Sequence, residues 1–208
     1  MSFTTFREDW LTTVYQRKGI QFVSDLSIHN ISKLFNLKVK YYPYRSRVLY
    51  DENCALIFLQ EGLPIEQRRY EFFHEFSHAL QHVSDQRWMP KEFIRLQEEQ
   101  AHRLALYASM PRYIIKPLIK RQKTVKAVAE AFQLPETFVW ERVKLLKNQE
   151  ITRYYYESLK HLEEKRNSPS YQGKAFKSSK FIISHLKAQV GEERSSYEVQ
   201  SILRPNQR

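Results

Sequence analysis

The spacing of apolar residues changes twice along the first half of the chain. Up to about residue 36, apolar side chains recur every three or four positions, as on the buried face of a helix. They then alternate with polar residues, as in a strand, before the helical spacing returns at Ile65. The predicted helices lie at 3–18, 25–35, 65–82 and 91–109, and the predicted strands at 37–42, 47–50 and 54–59. This order predicts an α+β fold with a small β-sheet.

The apolar stripes of these helices predict which faces join the core. The stripe of the first helix consists of Phe3, Phe6, Trp10 and Val14, and the packing residues of the helix at 91–109 are Phe93, Leu96, Leu104 and Ala108. Gly19 ends the first helix, and Ser24 or Asp25 caps the second. The continuous apolar run at 54–59 predicts the more buried strand of the sheet.

The helix that begins near Ile65 carries a His-Glu-x-x-His motif, formed by His74, Glu75 and His78. Positions four apart lie one turn above each other, so both imidazoles point to the same place. Two imidazole nitrogens held in this way suit zinc and leave room for a third protein ligand and a water molecule. Glu75 lies beside them, where it can take a proton from that water. The alternative interpretation is a solvated helix face with two ordinary histidines.

A site with two histidines needs a third protein ligand from elsewhere in the fold. The long motif of metzincins would place a histidine six residues after His78, and Ser84 at that position excludes this class. The alternative is a glutamate on the following predicted helix, where Glu98 and Glu99 are adjacent. Neighbouring helical positions point about 100° apart, so only one of the pair can face the metal. Glu98 is the natural candidate.

Two further histidines lie near these ligands in the sequence. His102 lies one turn after Glu98, where it could orient that carboxylate or touch a substrate. The alternative for His102 is a polar residue at the helix surface. His82 extends the row of His74 and His78 by another turn, which is too far along the helix to join the same metal easily. We interpret His82 as structural or as a support for the ligands.

Several segments of the chain follow one another in an order that can be compared with known protein families. An apolar strand is followed by a Gly/Pro break and an Arg-rich helix start, and then by the segments HEFSHALQH and EEQAHRLALYASMP. Over roughly residues 20–145 this order resembles the ImmA/IrrE family of metallopeptidases. The resemblance implies a zincin-like core, one zinc ion per chain with manganese or iron as alternatives, and Glu98, three residues before Ala101, as the third ligand. It also implies a substrate, namely a helix-turn-helix repressor of a mobile element or stress regulon.

Basic residues are concentrated in the second half of the chain. The net charge is +1 over residues 1–110 and +10 over residues 111–208. A basic half of this kind attracts nucleic acid or an acidic partner surface, although it can also be merely a soluble basic surface. The charge distribution therefore leaves direct DNA contact as an open prediction.

Residues 124–147 predict two short helices around a turn at 133–136, a layout that resembles a helix-turn-helix. In that interpretation Arg142, Lys144 and Lys147 contact DNA or a repressor. The alternative is a helical hairpin that packs on the catalytic domain. We favour the hairpin because Phe138 and Trp140 stand where a recognition helix needs polar residues.

The predicted organisation has three parts. Residues 1–111 form a zincin-like metallopeptidase domain, residues 112–150 a helix-turn-helix-like helical segment, and residues 151–208 a basic, partly flexible extension. No apolar stretch is long enough to span a membrane, and the N-terminus is polar where a secretory signal would be apolar. The single cysteine, Cys54, cannot form an internal disulfide. These features favour the cytoplasm.

The sequence therefore predicts a zinc-dependent endopeptidase with Glu75 as its general base. Two hypotheses from other classes remain open. One is a non-enzymatic anti-repressor that binds a regulator through the basic half, and the other is a DNA-binding regulator.

Overall fold

The computed structural model describes residues 5–50, 55–81, 89–122 and 124–166, and within them the protein has a mostly helical α+β fold. This confirms the predicted fold class, which is consistent with a zincin-like core. The strands are β1 (Leu37–Tyr42), β2 (Arg47–Tyr50) and β3 (Ala55–Gln60). The helices are α1 (Phe6–Arg17), α2 (Ile28–Leu34), α3 (Ile65–Gln81), α4 (Lys91–Ser109), α5 (Arg112–Gln122), α6 (Val125–Phe132) and α7 (Glu136–Arg166), with a 3₁₀ turn at Val23–Leu26.

The chain divides into two units, residues 1–156 and residues 157–208. The sheet and the buried core belong to the first unit. The described part of the second unit is the end of α7, where Lys160 and Glu164 form an exposed ion pair with 3.7 Å between nitrogen and oxygen. The predicted three-part division stays a prediction, and its boundary at 150/151 falls inside α7. No helix in the described ranges is long and apolar enough to cross a membrane.

The sheet has the strand order β1-β3-β2. β3 pairs in parallel with β1, with Val39 opposite Ile57, and antiparallel with β2, with Val48 opposite the same residue. The side chains of Ile57 and Leu59 are fully buried, so the prediction that this segment is the more buried strand is confirmed. Cys54, just before β3, lies outside the described residues.

The core lies between the sheet and the helices that cover it. α3 contributes Phe72, Phe73 and Phe76, each with no exposed surface. Burial of one such side chain stabilises the fold by about 1.5–3 kcal/mol, so the rotation of α3 about its axis is strongly fixed. Leu104 and Ala108 of α4 are also fully buried, as predicted.

The prediction for the buried face of α1 is wrong. Phe6 is 86% exposed and Trp10 is 40% exposed, while Leu11 and Tyr15 are buried. Phe3 lies outside the described residues. The hydroxyl of Tyr15 donates a hydrogen bond to the backbone carbonyl of Ala108 on α4 at 3.1 Å. This hydrogen bond to a distant helix favours burial of the face of α1 that carries Tyr15. The spacing of apolar residues within α1 gives no sign of it.

Two other local predictions also need correction. The N-cap of α2 is Ser27, whose hydroxyl oxygen accepts from the backbone N–H of Asn30 at 3.2 Å. Asp25 instead accepts from the backbone N–H groups just before it, 2.8 Å from that of Phe22. On α4, Phe93 and Leu96 are about half exposed, because the helix turns its buried face toward the core only in its second half.

The helix-turn-helix-like segment packs on the rest of the first unit. Arg69 of α3 donates from Nε to the carbonyl of Phe132, the last residue of α6, at 2.9 Å. A left-handed Gln133, with φ of 52°, then leads into α7. α7 continues without a break to Arg166, whereas the sequence predicts a short helix that ends near residue 147. α5, which contains Pro117, is not among the predicted helices.

Arg142 is fully buried and forms an ion pair with the buried carboxylate of Glu8 on α1. Its Nε donates to the carbonyl of Met110 at 3.0 Å, and Gln149 donates to the other oxygen of Glu8 at 2.8 Å. Burial lowers the pKa of Arg142, and the carboxylate of Glu8 opposes that shift. Arg142 is therefore unavailable for the DNA contact predicted for it, which supports the packed-hairpin interpretation.

Replacing Arg142 by alanine is expected to lower the free energy of unfolding by about 3–5 kcal/mol, because the carboxylate of Glu8 then stays buried without its cation. Urea unfolding followed by circular dichroism measures this. The matched control is Lys147→Ala, an exposed position on the same helix, which is expected to change stability by less than about 0.5 kcal/mol. Equal stability of the two variants would contradict this role of Arg142.

Candidate metal centre

The two histidines of the motif lie on α3, on the side away from its buried phenylalanines. His78 is buried and His74 is mostly buried, so both rings are held by the surrounding structure. Glu98 projects toward them from α4, the helix that packs most extensively on α3, and 42% of its side-chain surface is exposed. The packing of two helices thus brings one side chain of α4 to two of α3.

The ligand atoms of these three residues converge. The Nε2 atoms of His74 and His78 are 3.2 Å apart. Oxygens of Glu98 lie 3.1 Å from Nε2 of His74 and 3.4 Å from Nε2 of His78. Two nitrogens bound tetrahedrally to one zinc ion at 2.0–2.1 Å are separated by roughly 3.3 Å. Among the described residues, His74, His78 and Glu98 form the group that could hold a metal ion.

The electrostatics of the cluster keep the carboxylate of Glu98 in the ionised form that binds a cation. Hydrogen bonds from His74 and His78 hold the pKa of Glu98 well below its usual range. Burial lowers the pKa of His74, but the hydrogen bond to Glu98 and the charge of Glu75 outweigh burial and raise it overall. The carboxylate of Glu98 is therefore ionised at neutral pH and available as a metal ligand.

Glu75 lies between the two histidines in sequence, but it is not part of the converging cluster. Its side chain is buried with 8% exposure. Burial raises the pKa of Glu75, and the neighbouring His74 and His78 oppose that shift. A buried carboxylate with a raised pKa is a stronger base than an exposed one, which suits Glu75 to accept a proton.

The other residues singled out from the sequence have different surroundings. Nε2 of His102 lies 2.7 Å from a carboxylate oxygen of Glu141 on α7, so this histidine pairs with α7 and not with Glu98. Glu99 is exposed and pairs with Arg95 one turn earlier, 3.6 Å away. His82 lies outside the described residues.

Two tyrosines near the site are absent from the sequence predictions. Tyr50, at the end of β2, donates its hydroxyl hydrogen to the backbone carbonyl of His78 at 2.7 Å. Burial and the charge of Glu75 raise the pKa of Tyr50 to about 12. The ring of Tyr70 has its centre 6.1 Å from that of His74 and 4.9 Å from that of Phe138 on α7. Tyr70 lies four residues before His74, about one helical turn, and this spacing could have indicated from the sequence that it lies near the site. No local sequence signal marks Tyr50.

A cleft of about 620 Å³ adjoins the candidate ligands. His74 and Glu98 line one part of it, and further residues of α4 and α7 line the rest. The helix-turn-helix-like segment thus contributes a wall to the space beside the candidate metal centre.

A His-Glu-x-x-His helix with a carboxylate supplied by the next helix is the arrangement of zinc metallopeptidases. Residues 29–144 match the family model of Peptidase_M78, described as the IrrE N-terminal-like domain. The chain therefore belongs to this peptidase family, and the predicted ImmA/IrrE resemblance is confirmed. Membership of a peptidase family implies a protein substrate.

Two relatives come from Bacillus subtilis (strain 168). The chain is 21% identical to the uncharacterized protein YqaB over 159 residues, which cover 74% of this chain and 87% of YqaB. It is 22% identical to the phage-like element PBSX protein XkdA over 195 residues, which cover 92% of this chain and 94% of XkdA. The second match extends well beyond the region of the family model and includes most of the basic half.

Zinc is expected to raise the free energy of unfolding by about 4 kcal/mol when its free concentration is roughly a thousand times the dissociation constant, because only the folded chain presents the converged ligands. Thermal unfolding with and without zinc measures this. His74→Ala, His78→Ala and Glu98→Ala are expected to abolish the effect, and the matched control Glu99→Ala to retain it. Loss of the effect in Glu99→Ala alone would move the third ligand to Glu99.

Proposed function

We propose that the protein is a zinc-dependent endopeptidase in which His74, His78 and Glu98 hold the metal and Glu75 is the general base. The observation that carries this proposal is the convergence of three ligand atoms beside a buried glutamate of raised pKa. Two imidazoles and one carboxylate suit zinc, and the same donor set also suits manganese or iron. Zinc is our choice because this ligand set with a neighbouring glutamate is typical of zinc peptidases.

When bound at these ligands, zinc supplies a Lewis acid for the scissile carbonyl and makes the attacking water more acidic. Glu75 accepts the proton that the water loses and then delivers it to the leaving amine nitrogen. Its burial supports the first step, because a carboxylate with a raised pKa is a stronger base than an exposed one.

We also propose that an extended substrate pairs with the outer edge of β2. β1 and β2 lie at the two ends of the described sheet, so either could receive an added strand. The hydroxyl of Tyr50 joins β2 directly to the backbone of His78, whereas β1 packs near α2. This contact supports β2 as the strand that guides a peptide past the metal ligands.

The proposed substrate is a helix-turn-helix repressor of a mobile element or stress regulon, cut in the cytoplasm so that the genes it represses are expressed. Two findings support this: the family of the chain, and its similarity over nearly its whole length to a protein of a phage-like element. The competing DNA-binding proposal loses support because Arg142 is buried in an ion pair.

Glu75→Gln is expected to keep zinc binding and to lose peptide-bond hydrolysis by at least about a hundred-fold, because the amide cannot accept the proton of the attacking water. Mass spectrometry of new protein N-termini compares host cells that express the wild type with cells that express the variant. Termini present only with the wild type identify substrates, and purified substrate then confirms direct cleavage.

The same variant separates the enzyme from the non-enzymatic anti-repressor. An anti-repressor that acts only by binding would derepress its target genes equally well as wild type and as Glu75→Gln. Equal derepression, with no new N-termini from the wild type, would contradict the peptidase proposal. The matched control is Glu71→Gln, one turn earlier on α3 and outside the metal cluster, which is expected to cleave like the wild type.

A further inference from the structure

The cleft beside the candidate metal centre runs along α4. Its α4 lining begins at Glu98 and reaches Leu106, eight residues later, which corresponds to about 12 Å of helix. An extended peptide advances about 3.3 Å per residue. A substrate side chain one to three residues from the cleaved bond can therefore reach any part of this cleft.

The carboxylates that line the cleft each have a partner. Glu98 pairs with the two histidines of the metal centre. Glu99 pairs with Arg95, and Glu141 lies 2.7 Å from His102. These acidic groups are thus engaged by neighbouring side chains.

The cations that line the cleft are in a different situation. Arg103 of α4 and Lys144 of α7 are both exposed, and neither has an ion-pair partner among the described residues. Asn148, one turn after Lys144 on α7, adds an amide donor to the same wall. The lining also includes the apolar side chains of Leu106 and Leu145. Within the described ranges, the cleft thus offers two cations without an ion-pair partner beside an apolar surface, whereas its carboxylates each have a partner.

We propose that this cleft is a specificity pocket for a glutamate side chain of the substrate, near the cleaved bond. Its carboxylate would meet Lys144 and Arg103, and its methylene groups would cover Leu106 and Leu145. A lysine or arginine of the substrate would be repelled by the same cations. This inference rests on the proposed function, because the pocket serves a peptide whose scissile bond lies at the metal centre.

The proposal gives α7 a role in the peptidase itself. The segment that resembles a recognition helix faces the cleft with Glu141, Lys144, Leu145 and Asn148, while Arg142 holds the helix in the core. Lys144 is then a specificity-determining residue for a protein substrate.

The test uses short peptide hydroxamates, whose hydroxamate group binds zinc, and the zinc-loaded full-length protein. In three series the varied residue lies first, second or third from the hydroxamate, and it is glutamate, glutamine or lysine. Isothermal titration calorimetry measures the dissociation constants. In one of the three series we expect the glutamate member to bind roughly five-fold more tightly than the glutamine member, and the lysine member to bind most weakly. The preference should shrink as salt is raised.

Lys144→Glu is expected to reverse this order, while the matched control Lys147→Glu, with the same charge change on the same helix outside the cleft, should preserve it. Equal affinity for glutamate and glutamine in all three series would overturn the pocket and leave the metal centre intact. An equal effect of the two lysine variants would also overturn it. If no hydroxamate binds at all, the metal centre and the pocket both fail.

Discussion

The position of every proposed catalytic group depends on how α3 buries one of its faces. Phe72, Phe73 and Phe76 have no exposed surface, and this burial fixes the rotation of the helix about its axis. A shift by one residue would turn the helix by about 100° and move His74 and His78 away from α4. The loss would amount to about 1.5–3 kcal/mol for each phenylalanine brought into water. The hydrophobic core thus positions the polar site.

A second constraint is the buried ion pair between Arg142 and Glu8. It joins α7 to α1, and the bond from Arg142 to the carbonyl of Met110 joins α7 to the end of α4. Removing either charged partner would leave a buried charge uncompensated, which is costly. The pair therefore keeps α7 against the peptidase core, where it forms one wall of the cleft beside the candidate ligands.

Sequence periodicity predicted most elements of the first unit because the strands and α3 have strong local patterns. It could not predict the buried face of α1, since Tyr15 and Glu8 are held there by Ala108 and Arg142 far along the chain. The sequence analysis did not predict α5. This helix contains Pro117 in its middle, and proline usually breaks helices. At the site, the motif indicated the histidines, and helical geometry allowed only one of Glu98 and Glu99 to face the metal. The family resemblance supported Glu98 as the third ligand. The contact of Tyr50 with α3 arises only once the sheet is formed.

The central claim is that His74, His78 and Glu98 bind one zinc ion. X-ray absorption spectroscopy at the zinc edge, on protein loaded with one zinc per chain, tests it most directly. The account predicts two imidazole nitrogens and one or two oxygens at about 2.0–2.2 Å, with the outer scattering that imidazole rings produce. A shell of oxygens without imidazole scattering, or sulfur at about 2.3 Å, would contradict it.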